Sequence, residues 1–218
     1  MPDQLLPPSF LFHMAVPCLR HALEWTSRGL QLGEEHRLLD LTQLDGGQPY
    51  AEVRAGWSER GLGLSVRVQG KRQAPWCRES QFEESDGLHV FVDTRDTRNI
   101  HRAGRFCHRF GFLPSGGGPR REDAVAGHLL INRAKEHPKP AHPSQLLVRS
   151  EKRVDGYLLD VLITAGALTG YDPIENPRLG FMYALVDREL GEQTFGVSRE
   201  FPYRDDPSLW GTVELVGG

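Results

Sequence analysis

The densest concentration of reactive side chains runs from Asp93 to Arg109, DTRDTRNIHRAGRFCHR. Arg95, Arg98, Arg102, Arg105 and Arg109 stand there against Asp93 and Asp96, with His101, Cys107 and His108 among them. Clustered guanidiniums grip carboxylates and phosphates through paired N–H donors, so the segment, with Arg102 and Arg105 within it, is a candidate anion site. The plainer and preferred reading is a solvated loop between two strands, its arginines paired with its own aspartates. Thiolate and imidazole together also suit a transition metal. Against that, Cys107 and His108 are neighbours on an expected strand and point to opposite faces. No base is identifiable beside Cys107, so a nucleophilic role gains no support.

Acidic residues gather at Glu79, Glu83, Glu84 and Asp86. Paired carboxylates hydrolyse glycosides only at a defined separation, and no EF-hand spacing for calcium is present. Solvated charge ahead of a strand is the expectation here. GxSxG, HExxH, phosphate-loop and dinucleotide fingerprints are all missing, which argues against an enzyme. Five aromatic residues, Trp76, Phe82, Phe201, Tyr203 and Trp210, lie in polar or proline-containing stretches rather than in mid-strand. Apolar sugar faces stack on such rings. Trp210, just before the last strand, is expected to seal the edge of the core; for Phe82 and Tyr203 stacking and core packing weigh equally.

The elements that must position these residues show the period of two that half-buried strands have. Ala51, Val53, Ala55 and Trp57 alternate with polar or small residues, as do Leu62, Leu64, Val66 and Val68, and the SERG between them reads as a hairpin turn. Further runs are Leu88–Val92, Phe106–Phe112, Leu146–Val148, Tyr157–Ile163, Leu179–Leu185 and Val213–Leu215. About eight short strands separated by turns predict an all-β chain, an antiparallel β-sandwich with one core. One short helix is expected over Leu19–Leu32, limited by Gly29 and Gly33. Pro114–Arg121 (PSGGGPRR) is expected to be a flexible turn, and His137–Ser144, with three prolines, an extended loop.

Composition bounds the rest. The 218 residues are 39% hydrophobic and 25% charged, enough for one well-filled domain spanning 1–218 and inconsistent with a disordered chain. A net charge of −3 speaks against a general nucleic-acid binder. All but four of the 26 cations are arginine, a bias that genome composition also produces. Cys18, Cys77 and Cys107 are odd in number and far apart, so a disulfide framework is not expected. No apolar run reaches the roughly 18 residues of a membrane span. The short apolar patch Phe10–Val16 lacks a basic flank and follows Pro7 and Pro8, making a poor signal peptide and favouring the cytoplasm.

Several segments, in order, resemble those of family 9 carbohydrate-binding modules: AEVRAGWSERGLGLSVRVQG, SDGLHVFVDTRD, FCHRFGFLPSGG, VDGYLLDVLITAGAL, RLGFMYALVDREL and DDPSLWGTVEL. The resemblance covers roughly Leu39 to Val216, leaving 1–38 as an N-terminal extension. It implies a jelly-roll-like β-sandwich that binds carbohydrate, or another small polar ligand, without catalysis. In that family two tryptophans sandwich a terminal sugar and calcium ions support the loops. The first platform would fall on Phe82, or on Trp76 if the loop is longer, and the second on Phe201 and Tyr203. His89 stands where the family often has Glu. The runner-up is an interaction domain that uses the arginine-rich segment for a protein or anionic partner. A metal-assisted enzyme using His101 or His108 comes third.

Overall fold

The structure, a computed structural model, describes residues 15–39 and 48–217. Most of the patch Phe10–Val16 therefore lies outside the described residues. Eleven strands are present: β1 (Ala15–Arg20), β2 (Ala51–Ser58), β3 (Gly61–Val68), β4 (Gly87–Asp93), β5 (Cys107–Gly117), β6 (Asp123–Leu129), β7 (Leu146–Arg153), β8 (Gly156–Thr164), β9 (Arg178–Asp187), β10 (Gly191–Thr194) and β11 (Gly211–Val216). The remaining regular structure among the described residues is short 3-10 turns, so the chain is all-β. No helix there is long and apolar enough to cross a membrane.

Hydrogen bonding joins the strands in the order β6-β5-β4-β9-β11-β1-β2-β3-β8-β7, with β10 added to β9. β6 and β7, the two ends of that path, come back beside each other, so the sheet wraps around one core. The eight alternating runs all form strands. In the hairpin of β2 and β3, Ser58 pairs with Gly61 and Ser58 Oγ accepts the Arg60 amide at 3.1 Å. Gly61 takes φ +138°, which a side chain would resist.

The structure corrects three expectations. Residues 19–32 form no helix: β1 ends at Arg20, and Leu23 and Gly29 adopt positive φ, which breaks any helical turn. Leu23, Leu30 and Leu32 instead pack on Leu162 as a small satellite cluster. Nor is the sheet wholly antiparallel. β1 lies parallel to both β11 and β2, inserted between the last strand and the second. Parallel neighbours need a long connection, and about thirty residues link β1 to β2. The PSGGGPRR segment is only half a turn. β5 continues to Gly117 across an irregularity after Leu113, and the reversal is confined to residues 118–121.

β4 and nearly all of β9 are buried on both faces. One face of this pair holds Leu88, Val90, Val92, Phe181, Tyr183 and Leu185 in the main core. The other holds His89, Phe91, Met182 and Ala184, and it is buried because two loops lie across it. That second face positions the candidate site.

Candidate functional site

Side chains on the loop-covered face follow from the register. His89 of β4 pairs with Gly111 of β5, which pairs with Gly127 of β6, so two glycines lie side by side next to a histidine. A methyl group at Gly111 would come 2.6 Å from Cδ1 of Phe82, and one at Gly127 would come 3.0 Å from its Cζ. The glycine pair is thus a seat for the Phe82 ring, which arrives on the 3-10 turn Phe82–Glu84 and stays half-buried. Gly111→Ala is expected to push that ring off the face while lowering the melting temperature by only a few degrees, since the ring's outer side is free to give. A calorimetric melt together with ligand titration checks this; a variant that binds like the parent would show that the seat has no bearing on the site.

Beside Phe82, Glu83 links two arginines. Its Oε1 and Oε2 each lie 2.6 Å from a terminal nitrogen of Arg109, and Oε2 also accepts from Arg204 at 3.0 Å. Arg204 donates onward to Glu192 at 3.1 Å. The Tyr203 hydroxyl donates to the other Glu192 oxygen at 2.9 Å and accepts from Arg204 Nε at 3.3 Å. Arg109 is 1% exposed and places its guanidinium over the Phe91 ring, 5.3 Å from the centroid. Burial works to raise the Glu83 pKa, but the hydrogen bond and charge of Arg109 hold it below the usual value. His89 Nδ1 lies 3.5 Å from Arg109, and burial, helped by the charges of Arg109 and Arg204, pushes this histidine down to about 3.

The expected platform residues take different places. Tyr203 is 1% exposed, edge-on to Phe91 at 5.8 Å, and its carbonyl accepts from the buried Trp210 indole at 2.7 Å. Trp210 indeed seals the core. Phe201 is partly buried against the main core. Trp76 carries the guanidinium of Arg188 at 3.3 Å and that of Arg78 at 4.8 Å from its ring centroid. Phe82 and Tyr203 belong to the same locality, joined through Glu83 and Arg204, but their rings are not an open facing pair.

The arginine-rich segment disperses. Arg102 donates to the Arg133 carbonyl at 2.8 Å, while Arg105 and Arg95 both approach the Phe106 ring. Asp93 caps the loop by accepting from the Arg95 and Thr97 amides, and Asp96 pairs with Arg98 and Arg178. His101 meets Asp206 at 3.1 Å. Cys107 is buried, which pushes its thiol up to about 12, and His108 on the opposite face stacks on Phe110. Among the described residues no group of three His, Cys, Asp or Glu side chains is placed to hold a metal ion.

The acidic cluster is not merely solvated, contrary to expectation. Asp86 is buried and, with Asp187, closes on the ammonium of Lys71, whose Nζ lies 3.3 Å and 2.5 Å from the two carboxylates. These converging carboxylates therefore do not suit calcium, because a side-chain cation already fills the space between them. The sequence singles out Glu83 in the acidic cluster and Arg109 in the arginine-rich segment but does not show that they pair, and it gives no signal for Arg204 or Glu192. Arg109 carried one usable signal, a cation in the middle of the aromatic run Phe106–Phe112.

The fold is similar to that of family 9 carbohydrate-binding modules of known structure. The likeness is to particular solved structures. One is a family 9 module from Caldicellulosiruptor kristjanssonii in complex with cellotriose, with a TM-score of 0.62 and 11% identity, covering 94% of this chain and 95% of that one. Another, in complex with glucose, is from the same organism, with a TM-score of 0.56 and 13% identity over 77% of each chain. A third is a protein from Bacteroides uniformis, with a TM-score of 0.52 and 11% identity over 86% of this chain and 84% of that one. No family model matches the sequence, and no curated protein matches it.

Proposed function

We propose that this protein is a non-catalytic module that binds carbohydrate on the loop-covered face, with Phe82 as the stacking ring and Arg109 and Arg204 as polar partners. The observation that carries this reading is the half-buried Phe82 ring, seated on Gly111 and Gly127 directly beside a bridging Glu83 carboxylate. A sugar needs that combination, an apolar plane for its C–H face and charged groups for its hydroxyls. The structures of similar fold that hold cellotriose and glucose support the ligand class. Tyr203 then acts from below, holding Arg204 and Glu192 in place. The wrapped strand path also supports a jelly-roll-like sandwich, with β6-β5-β4-β9 facing β2-β3-β8-β7.

Titration of the full chain with cello-oligosaccharides and a glycan array tests the reading. Phe82→Ala is expected to weaken binding roughly tenfold, the loss of about 1.4 kcal/mol of ring stacking. Absence of any glycan binding by the parent chain would overturn it, as would an unchanged affinity in the Phe82→Ala variant.

A further inference from the structure

Resting on the reading that this face binds a sugar, we propose that the preferred ligand is an acidic sugar whose carboxylate takes the place of Glu83 between Arg109 and Arg204. The arrangement of Glu83 is that of an internal stand-in. Its carboxylate meets Arg109 with both oxygens and Arg204 with one, the fork geometry in which guanidiniums bind any carboxylate. Yet the Glu83 side chain is 54% exposed and hangs from a three-residue turn in which no residue is buried. Rotation about its own side-chain bonds withdraws it into solvent without disturbing the sheet.

Arg109 cannot move in the same way, because its side chain is 1% exposed and rises from β5 where that strand is paired on both sides, with Phe91 and with Leu129. One buried nitrogen of the same guanidinium, Arg109 Nε, makes no hydrogen bond. Buried polar atoms are almost always satisfied, so an orphan donor on the guanidinium that holds Glu83 points to a ligand that brings acceptor oxygens. His89 remains neutral beside two guanidiniums. With Nδ1 facing the Arg109 N–H, its other nitrogen carries the proton and turns toward the Phe82 backbone, so the imidazole helps hold the turn that bears Phe82 and Glu83. The hydroxyls of a sugar seated on Phe82 supply the acceptor that Arg109 Nε lacks.

Charge selects the ligand class. Arg109 and Arg204 are balanced by Glu83 and Glu192 when the face is empty of ligand. Once Glu83 swings out, one positive charge is uncompensated, and a neutral sugar leaves it so, whereas a uronate restores the balance. Glu83 is thus both a placeholder that keeps Arg109 paired and a competitor that makes neutral sugars poor ligands.

The test is calorimetric titration of the full chain with D-glucose, D-glucuronate and glucuronate methyl ester. Glucuronate is expected to bind at least tenfold tighter than glucose or the ester, with an affinity that falls as salt rises. Glu83→Gln, which weakens the internal competitor, is expected to tighten glucuronate binding several-fold. Arg204→Gln, at a half-exposed position, is expected to weaken it about tenfold while the thermal melt stays close to that of the parent. Equal affinity for glucose and glucuronate, or weaker glucuronate binding by Glu83→Gln, overturns the inference and leaves the broader sugar-binding reading standing. If none of the three sugars nor any glycan on an array binds, both readings fall.

Discussion

Replacing Lys71 by methionine is expected to cost about 3–5 kcal/mol of folding stability, the loss typical of leaving a buried charge without its partner. The Lys71 side chain is 3% exposed, and its ammonium lies 2.5 Å from Asp187 Oδ2, 3.3 Å from Asp86 Oδ2 and 3.9 Å from Glu189. Burial alone would lower its pKa, but the hydrogen bond and charge of Asp187, with those of Asp86, outweigh burial and raise it, so the cation is retained. Methionine keeps most of the length and volume of lysine, which isolates the charge from the packing. What remains is two carboxylates side by side with only backbone donors: Arg188 and Trp76 amides on Asp86, and Glu189 and Leu190 amides on Asp187.

The effect should reach the ligand face. Asp86 ties the Trp76 amide at 3.0 Å, and the segment from there to Asp86 carries Phe82 and Glu83. Loss of Lys71 is therefore expected to loosen that loop as well as destabilise the fold. Urea unfolding of Lys71→Met measures the first effect, and adding Asp86→Asn and Asp187→Asn should recover part of the loss by removing the stranded charges. Arg67→Ala provides the contrast: Asp155, its partner at 2.6 Å, is 46% exposed, and water screens such a pair so that its loss changes stability little. If Lys71→Met were no more disruptive than Arg67→Ala, the buried triad would be carrying no stability.

The strands that the sequence displayed carry apolar side chains at every second position, four of them in Ala51–Trp57 or Tyr157–Ile163 and as few as two in Val213–Leu215. β1 was hidden because only Val16 and Cys18 point inward and Pro17 sits between them. β6, DAVAGHL, is a half-buried strand of mostly small residues, and β10, GEQT, is polar throughout; neither has a hydrophobic period to detect. The leucines of 19–32 did reflect burial, but on a loop whose reversals at Leu23 and Gly29 no helix tolerates. Phe82 was legible as a candidate because an aromatic residue stood alone among acids. The ionic cluster was not. Glu83 reaches Arg109 across 26 positions and Arg204 across 121, and pairs of that separation leave no local pattern. The acids before β4 likewise looked solvated until Lys71 was found between two of them.

Acid is expected to destabilise this protein well above the pH at which its carboxylates titrate. Burial, with the charges of Arg109 and Arg204, holds His89 down at about 3, and burial together with His128 holds His108 at about 4. Burial and the charge of His137 lower His128 in turn. In the unfolded chain a histidine titrates near 6.5. Below that pH the unfolded state binds protons that the native state refuses, so stability is complete above about 6.5 and falls as pH drops toward the folded values. Each fully buried neutral histidine contributes about 1.4 kcal/mol of loss per pH unit, so His89 and His108 together remove on the order of 4 kcal/mol by pH 5. That is a large share of a typical domain's 5–15 kcal/mol. Asp160, its pKa raised by burial, works in the opposite direction, since the native chain takes up its proton more readily than the unfolded one. Urea midpoints at pH 7.5, 6 and 5 measure the net slope. His108→Leu separates the contributions: the ring stacks on Phe110 and its polar contact is with the Thr169 backbone alone, so leucine forfeits little there. The variant should match or exceed the parent at pH 7.5 and lose about one proton's worth of slope below 6.5. Equal midpoints for the parent chain at pH 7.5 and pH 5 would mean that these imidazoles are not held neutral by the fold.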